Sequence, residues 1–381
     1  MKQKKSSGSE ILLFADSEVN ADMLYFGGVH VPDPFIAFSH QGRRIAVVSQ
    51  LEFARVGKEG RFDEVISLEA AEADARKSAG KEFHRPATTI ASLARRFGIK
   101  SFRVASDFPC GTAFALRDMG LKLDVVEGLL IPEREYKSDA EAAAIKEGNA
   151  ASSAGFRVVE KLLRASEVRR GYLYHSGKRL TSERVQEAIA AECLKRGAIA
   201  ANVIVAGGDQ ACDPHCRGSG PLRAGELIIV DIFPRVGATG YHGDMTRTYL
   251  KGRASEAQKD LFNTVLEAEQ TALKEHRSGK SARKIYQSVV KFFEDKGYPT
   301  TRKTGVPVGF IHGLGHGLGL AVHEPPRVNA TGERLRKGQV ITVEPGLYYP
   351  GLGGARMEDV VRVTTGEPEL LSSHPYRWQI R

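Results

Sequence analysis

Short apolar runs and helical spacings alternate along the first third of the chain and predict an α/β unit. A helical pattern near Ser17–Phe26 leads into a strand pair, Phe35–Phe38 and Arg44–Val48, turned by His40-Gln41-Gly42. Thr89–Phe97 predicts a helix closed by Gly98, followed by a strand at Phe102–Ala105. A helix after Cys110-Gly111 and a strand at Leu123–Val126 complete the unit. Its histidines, His30, His40 and His84, are isolated from other chemical groups. Ile131-Pro132 then punctuates the chain, and Ser138-Asp139-Ala140-Glu141 has the form of a capping box opening a long helix to about Ala165. The expected domains are therefore residues 1–133 and 134–381.

In the second domain the pattern changes. A helix after Thr181, stopped by Gly197, precedes a strand at Asn202–Val205, and two more helices are expected near Glu256–His276 and Ser281–Lys296. The remaining strands come as hairpins, and hairpins separated by long paired helices argue an α+β fold.

Both hairpins set acids against each other. Ile228–Phe233 and Met245–Tyr249 flank Gly237-Ala238-Thr239-Gly240, and folding about residues 237 and 238 places Asp231 opposite Asp244. Val340–Glu344 and Met357–Val361 flank Pro350–Gly354, and folding about Gly351 places Glu344 opposite Glu358. Directly opposed side chains have Cβ atoms roughly 4.5–5.5 Å apart, where like charges repel. Two such pairs in one domain imply a compensating cation. Between the hairpins, Ile311–Leu320 carries four glycines, too many for a helix. As an extended segment it puts His312 and His316 on one face, about 13 Å apart, with a bare glycine face that another backbone can approach. One ion cannot take both histidines; His316 is assigned to the metal and His312 to the pocket. Carboxylates with one imidazole suit manganese, cobalt, iron or zinc, and four carboxylates balance two divalent ions.

The segments VDIFPRVGATGYHGDMTRTY, HGLGHGLGLAVHEPP, VEPGLYYPGLGG and ARMEDVV resemble the pita-bread-fold metallopeptidases, in particular the proline-specific branch of Xaa-Pro dipeptidases and aminopeptidases P. The resemblance implies a pita-bread catalytic domain over 134–381 and a smaller creatinase-like α/β domain over 1–133. It implies a dinuclear centre, manganese for preference, in which Asp244 and Glu358 bridge the ions, Asp231 holds one, and His316 and Glu344 complete the other. It further implies hydrolysis of the Xaa-Pro bond by a bridging hydroxide, with Glu344 as general base and His312 and His323 stabilising the oxyanion. His215 matches a substrate-contacting position. Arg327 and Arg356 are both candidates for a substrate carboxylate, and the sequence does not choose between them, nor between dipeptidase and aminopeptidase P. One departure is visible: Asp231 and Asp244 are thirteen residues apart, two more than the family pattern.

Composition adds little to this. At 41% hydrophobic and 27% charged the chain reads as an ordinary globular protein, and it has no run of about twenty apolar residues that would span a membrane. A cytoplasmic homodimer acting on proline-containing peptides is expected. Four cysteines make no disulfide framework, and Cys212–Cys216 lacks a second cluster for a structural zinc. The net charge of +9 admits nucleic acid, but the basic residues are scattered along the sequence and carry no recognised motif, so no nucleic-acid partner is expected. The alternative to an enzyme is a catalytically silent binding protein on the same fold, which would be expected to lack several of the five ligands.

Overall fold

The protein is described by a computed structural model covering residues 10–301, 305 and 307–381. Its described residues form two compact units that divide between Arg134 and Glu135. In the first, strands β1 (Glu10–Ala15), β2 (Phe35–His40), β3 (Arg43–Val48), β4 (Glu64–Ser67), β5 (Ser101–Ala105) and β6 (Lys122–Val126) form one sheet in the order β4-β3-β2-β1-β5-β6. Helices α1 (Ala21–Gly27), α2 (Gln50–Glu59), α3 (Leu68–Ala79), α4 (Ala87–Phe97) and α5 (Cys110–Asp118) accompany it. The β2–β3 turn uses two left-handed residues, Gln41 (φ 52°) and Gly42 (φ 80°), which is why Gly42 sits there. The sequence pattern does not mark α3, because its buried residues are two alanines, Ala71 and Ala75, and the acid Glu72.

The second unit starts with α6 (Asp139–Ala165), whose capping box is formed as expected, with Ser138 and Glu141 satisfying each other's backbone N–H. A three-stranded meander follows, β7 (Glu167–Arg169), β8 (Tyr172–His175) and β9 (Lys178–Arg179), then α7 (Ser182–Leu194). Next come β10 (Ala198–Ile199), β11 (Ile204–Gly207), β12 (Leu227–Ile232), β13 (Arg235–Val236) and β14 (Met245–Lys251). Two amphipathic helices, α8 (Glu256–Glu275) and α9 (Ala282–Asp295), separate these from β15 (Gly315–Gly317), β16 (Glu324–Val328), β17 (Val340–Val343), β18 (Gly346–Tyr349), β19 (Gly353–Arg356), β20 (Asp359–Arg362), β21 (Glu369–Leu370) and β22 (Gln379–Ile380). The principal sheets run β11-β12-β14-β22 and β16-β15-β17-β20-β21. Leu261, Phe262, Val265 and Phe293 of α8 and α9 pack with Ile341, Val343, Leu347 and Met357 of the hairpin strands in one apolar cluster. Among the described residues no helix is long and apolar enough to cross a membrane.

The two acidic hairpins differ from each other in register. In the second, Val343 pairs with Asp359 and Gly346 with Arg356, so Glu344 faces Glu358 as expected. In the first, Asp231 pairs with Thr246, not with Asp244. The loop is the four residues 237–240, because Arg235 bridges His242 and Gly240 N–H closes on Val236 O. The register moves by two residues. A shift of two keeps side chains on the same face, so Asp231 and Asp244 become diagonal neighbours. The glycine face of residues 313–317 serves the purpose anticipated for it. A Cβ on Gly315 would lie 1.9 Å from Thr342 O, and one on Gly317 2.0 Å from Pro325 O.

Gly148 of α6 has a similar role against the first hairpin. A Cβ there would lie 2.4 Å from Gly243 N, backbone against backbone. Gly148→Ala is therefore expected to destabilise this unit by about 1–3 kcal/mol and to displace Asp244, despite alanine's better helix propensity. A denaturant midpoint equal to or above that of the unsubstituted protein would contradict the contact.

Candidate metal centre

Five side chains from separate strands and loops converge between the two acidic hairpins. Asp244, His316 and Glu358, all buried, offer ligand atoms within 4.8 Å of one another. Glu344 joins them, its Oε1 lying 3.5 Å from His316 Nε2, while Asp244 Oδ2 lies 3.7 Å from the same nitrogen. Asp231 is the fifth. Its Oδ2 accepts from Arg356 Nη2 at 2.7 Å, and its buried Oδ1 has no hydrogen-bond partner.

The backbone explains the convergence. Asp244 is held by Asn149 of α6, whose Oδ1 accepts the Asp244 N–H at 2.8 Å while its Nδ2 donates to Leu371 O. Glu358 is tied to the first hairpin twice: its N–H donates to Thr246 O, and the Thr246 hydroxyl donates to its Oε2 at 2.8 Å. Behind it, Arg247 is fully buried. Its Nη1 donates to the carbonyls of Thr246 and Glu358, and its Nη2 to both Asp359 oxygens at 3.0 Å. Removing one partner of such a buried pair leaves an uncompensated charge. Asp359 thus faces away from the site, as its strand position indicated.

The electrostatics call for positive charge. Asp244 and Glu358 are held well above the usual carboxylate range, first by burial and then by the neighbouring carboxylates. Burial pushes Glu344 up to about 7, with Arg356 opposing and Asp231 adding to the rise. His316 is pushed down to about 3, by burial and then by His323. Its Nδ1 lies 3.2 Å from Gly317 O, a carbonyl that can only accept, so Nδ1 carries the proton. The Nε2 lone pair therefore points at carboxylate oxygens. Lone pair facing lone pair at 3.5–3.7 Å fits a cation between them and fits hydrogen bonding poorly. The donor set of four carboxylates and one neutral imidazole is that of hard to borderline divalent ions. The residues present fit the metal centre that the sequence resemblance implied.

The remaining expected site residues divide into two groups. His215 and His323 are exposed at the rim, His323 stacking edge-on against His316 with ring centroids 4.4 Å apart. Arg327, opposite His316 on β16, is exposed, and its charge acts on His316, His323 and Glu344. His312 and Arg356 are tied inward instead. Arg356 is 3% exposed and donates to Asp231, the Thr246 hydroxyl, the Tyr348 hydroxyl and Pro214 O. A guanidinium so occupied orients the candidate ligand Asp231 and has few donors left for a substrate carboxylate, which favours Arg327 of the two arginine candidates. His312 Nδ1 lies 2.7 Å from Gly313 O and so carries the ring proton, leaving Nε2 to accept from the Tyr348 hydroxyl at 2.8 Å. Burial holds this ring neutral, down to about 3. With both ring nitrogens engaged by protein groups, it offers no free proton to an oxyanion, which argues against that expected role. Asn149, Thr246, Arg247 and Tyr348 escaped the sequence reading. Only Thr246 had a local signal, since a four-residue first turn sets it across from Asp231.

Comparison with known proteins gives the family. Residues 143–365 match the model of metallopeptidase family M24. The Xaa-Pro dipeptidase of Pyrococcus horikoshii is 30% identical over 300 residues, 78% of this chain and 73% of that protein. That of Pyrococcus furiosus is 36% identical over 175 residues, 45% of this chain and 47% of that protein, so the match spans about half the relative's length. The solved structure of a Xaa-Pro dipeptidase from Bacillus anthracis superposes with a TM-score of 0.80 over 98% of this chain and 95% of that one, at 23% identity. The shared fold is the pita-bread arrangement with a smaller N-terminal domain. On the family match and the two-thirds coverage of a relative, the chain belongs to metallopeptidase family M24.

Proposed function

We propose that the chain is a dinuclear metallopeptidase that hydrolyses the peptide bond preceding proline. The observation that carries this reading is the convergence of Asp231, Asp244, Glu344 and Glu358 around the unprotonated Nε2 of His316. The relatives named as Xaa-Pro dipeptidases support the choice of substrate. As the family resemblance implies, Asp244 and Glu358 would be shared by two ions, Asp231 would hold one, and His316 with Glu344 the other. Manganese is the preferred ion on the hardness of the donors.

Bound divalent ions would lower the pKa of a water from about 15.7 towards 7 and polarise the substrate carbonyl. Glu344, the least buried of the four acids at its side chain (19% exposed), takes the proton from the attacking water. Its raised basicity suits that role. His323, at the rim and beside His316, stabilises the developing oxyanion and helps protonate the leaving nitrogen. That nitrogen belongs to a tertiary amide, so the pocket must admit a pyrrolidine ring and cannot rely on an N–H donor. Arg327 holds the carboxylate that follows proline in a dipeptide, and exposed His215, whose charge acts on His323 and His312, contacts the substrate. Arg356, through Asp231, and His312, through Tyr348 and Arg356, keep the first hairpin's acid aimed at the centre. A silent binding protein on this fold is disfavoured because all five candidate ligands are present in the chain.

Comparing Ala-Pro with Ala-Pro-Ala tests the reading. Hydrolysis of neither, by metal-loaded protein, would overturn it. If Arg327 recognises a carboxylate, Arg327→Ala should lower kcat/KM for Ala-Pro by about 10–100-fold, the equivalent of one charge-assisted hydrogen bond, mainly through KM. An unchanged KM for the dipeptide would remove Arg327 from that role.

A further inference from the structure

The basic residues that look scattered in the sequence are gathered by α6. Lys146, Arg157, Lys161 and Arg164 fall within about 60° of arc at 3.6 residues per turn, with Ala150 inside that arc and Ser153 beside it. Three surface cavities follow one another along this face. The first, about 310 Å³, lies between α6 and residues 370–373 and includes Arg196. The second, about 600 Å³, shares Arg157 with the first and reaches Arg164. The third, about 390 Å³, shares Arg164 and is walled by Arg377 and Trp378. From Lys146 to Arg164 the groove runs about 27 Å along the helix.

Acidic neighbours do not neutralise it. Glu369 faces Lys146 at 2.8 Å, Glu192 faces Arg196 at 3.4 Å, and Glu160 is shared between Arg164 at 3.0 Å and His374 at 3.1 Å. Arg157 donates to the Ser153 hydroxyl, and among the described residues no ion pair engages Arg157, Lys161 or Arg377. We propose that this groove binds single-stranded nucleic acid through its phosphate backbone. The expectation of no nucleic-acid partner rested on dispersed charge in the sequence, and the fold removes that ground.

A phosphodiester strand suits the groove better than an acidic peptide does. Side chains of an extended peptide alternate between two faces, so half of its acids would turn away from α6. A nucleic-acid strand carries one charge per nucleotide on the backbone itself. Trp378, stacked on Phe262 with centroids 4.4 Å apart, gives the third cavity an aromatic wall of the kind on which bases stack. Such binding is sequence-independent and weakens with salt. Asn149, which holds the Asp244 N–H, lines the first cavity. Arg157 and Lys161 make no hydrogen bond or ion pair to any of the five candidate ligands, so substituting them tests the groove apart from the peptidase reading.

The experiment is fluorescence anisotropy of labelled oligouridylate and oligothymidylate with the full chain over a salt series, for the unsubstituted protein and Arg157→Gln/Lys161→Gln. Both side chains are exposed, so the variant should keep its melting temperature and its hydrolysis of Xaa-Pro substrates. Binding is expected to weaken about tenfold or more in the variant, and the slope of log K against log salt to shrink by about 1.4, two contacts at roughly 0.7 each for a single strand. Salt-insensitive binding, no binding by the unsubstituted protein, or equal binding by the variant would overturn the proposal. So would displacement by polyglutamate at equal charge concentration, which would assign the groove to acidic polypeptides.

Discussion

Glu344→Gln is expected to lower kcat by about 10²–10⁴-fold, the range supplied by one positioned general base, with the fold intact. The amide is isosteric but has no basic oxygen for the water's proton. Its effect on stability runs the other way. In chelated protein, four buried or half-buried acids outnumber the guanidiniums acting on them, buried Arg356 and exposed Arg327, and removing one acid relieves repulsion. The variant should therefore melt at or above the temperature of the chelated unsubstituted protein while failing to turn over Ala-Pro. Turnover at the unsubstituted rate would take the general base away from Glu344.

Chelation itself should produce the second large effect. An ion that binds only the folded chain stabilises it by about 2.7 kcal/mol at a free concentration of one hundred times its Kd. In a unit of this size each kcal/mol moves Tm by roughly 2–4 °C, so stripping the metals should lower Tm by about 5–10 °C. The dependence on pH should change sign as well. Glu344 is raised from the usual carboxylate value to about 7, and Asp244 and Glu358 lie well above their ordinary range. Folded chelated protein therefore holds more protons than the unfolded chain between about pH 4.5 and 7, and its stability falls across that window by about 1.4 kcal/mol per pH unit per group. In metal-loaded protein the carboxylates stay deprotonated, as they are in the unfolded chain above about pH 4.5. His316 stays neutral while the unfolded histidine gains a proton below about pH 6.5, so stability should rise with pH over most of that window. Parallel curves with and without chelator would argue that no ion is held there.

Much of the centre was legible because it is built from local patterns. The second hairpin turns symmetrically about Gly351, so reading outward from that glycine gave the Glu344–Glu358 pairing. The first hairpin misled by two residues because Gly237 and Ala238 looked like the turn, whereas the loop extends to Gly240. The site survived the error because strand faces repeat every two residues. His312 and Arg356 were harder. Their partners, Tyr348 and Asp231, are brought together only when the second hairpin folds onto β12 and the segment before β15. No spacing in the sequence encodes that contact. The basic face of α6 lay between these cases: its helical spacing was readable, but the contributions of Arg196 and Arg377 come from remote parts of the chain.

The most direct test of the central claim is to count metal in protein purified without chelator and to locate it by anomalous scattering. Two divalent ions per chain, bound by Asp231, Asp244, His316, Glu344 and Glu358 and lost on Asp244→Asn substitution, are the predicted result. A fully active protein that retains no ion, with these carboxylates bonded only to protein groups and water, would contradict it.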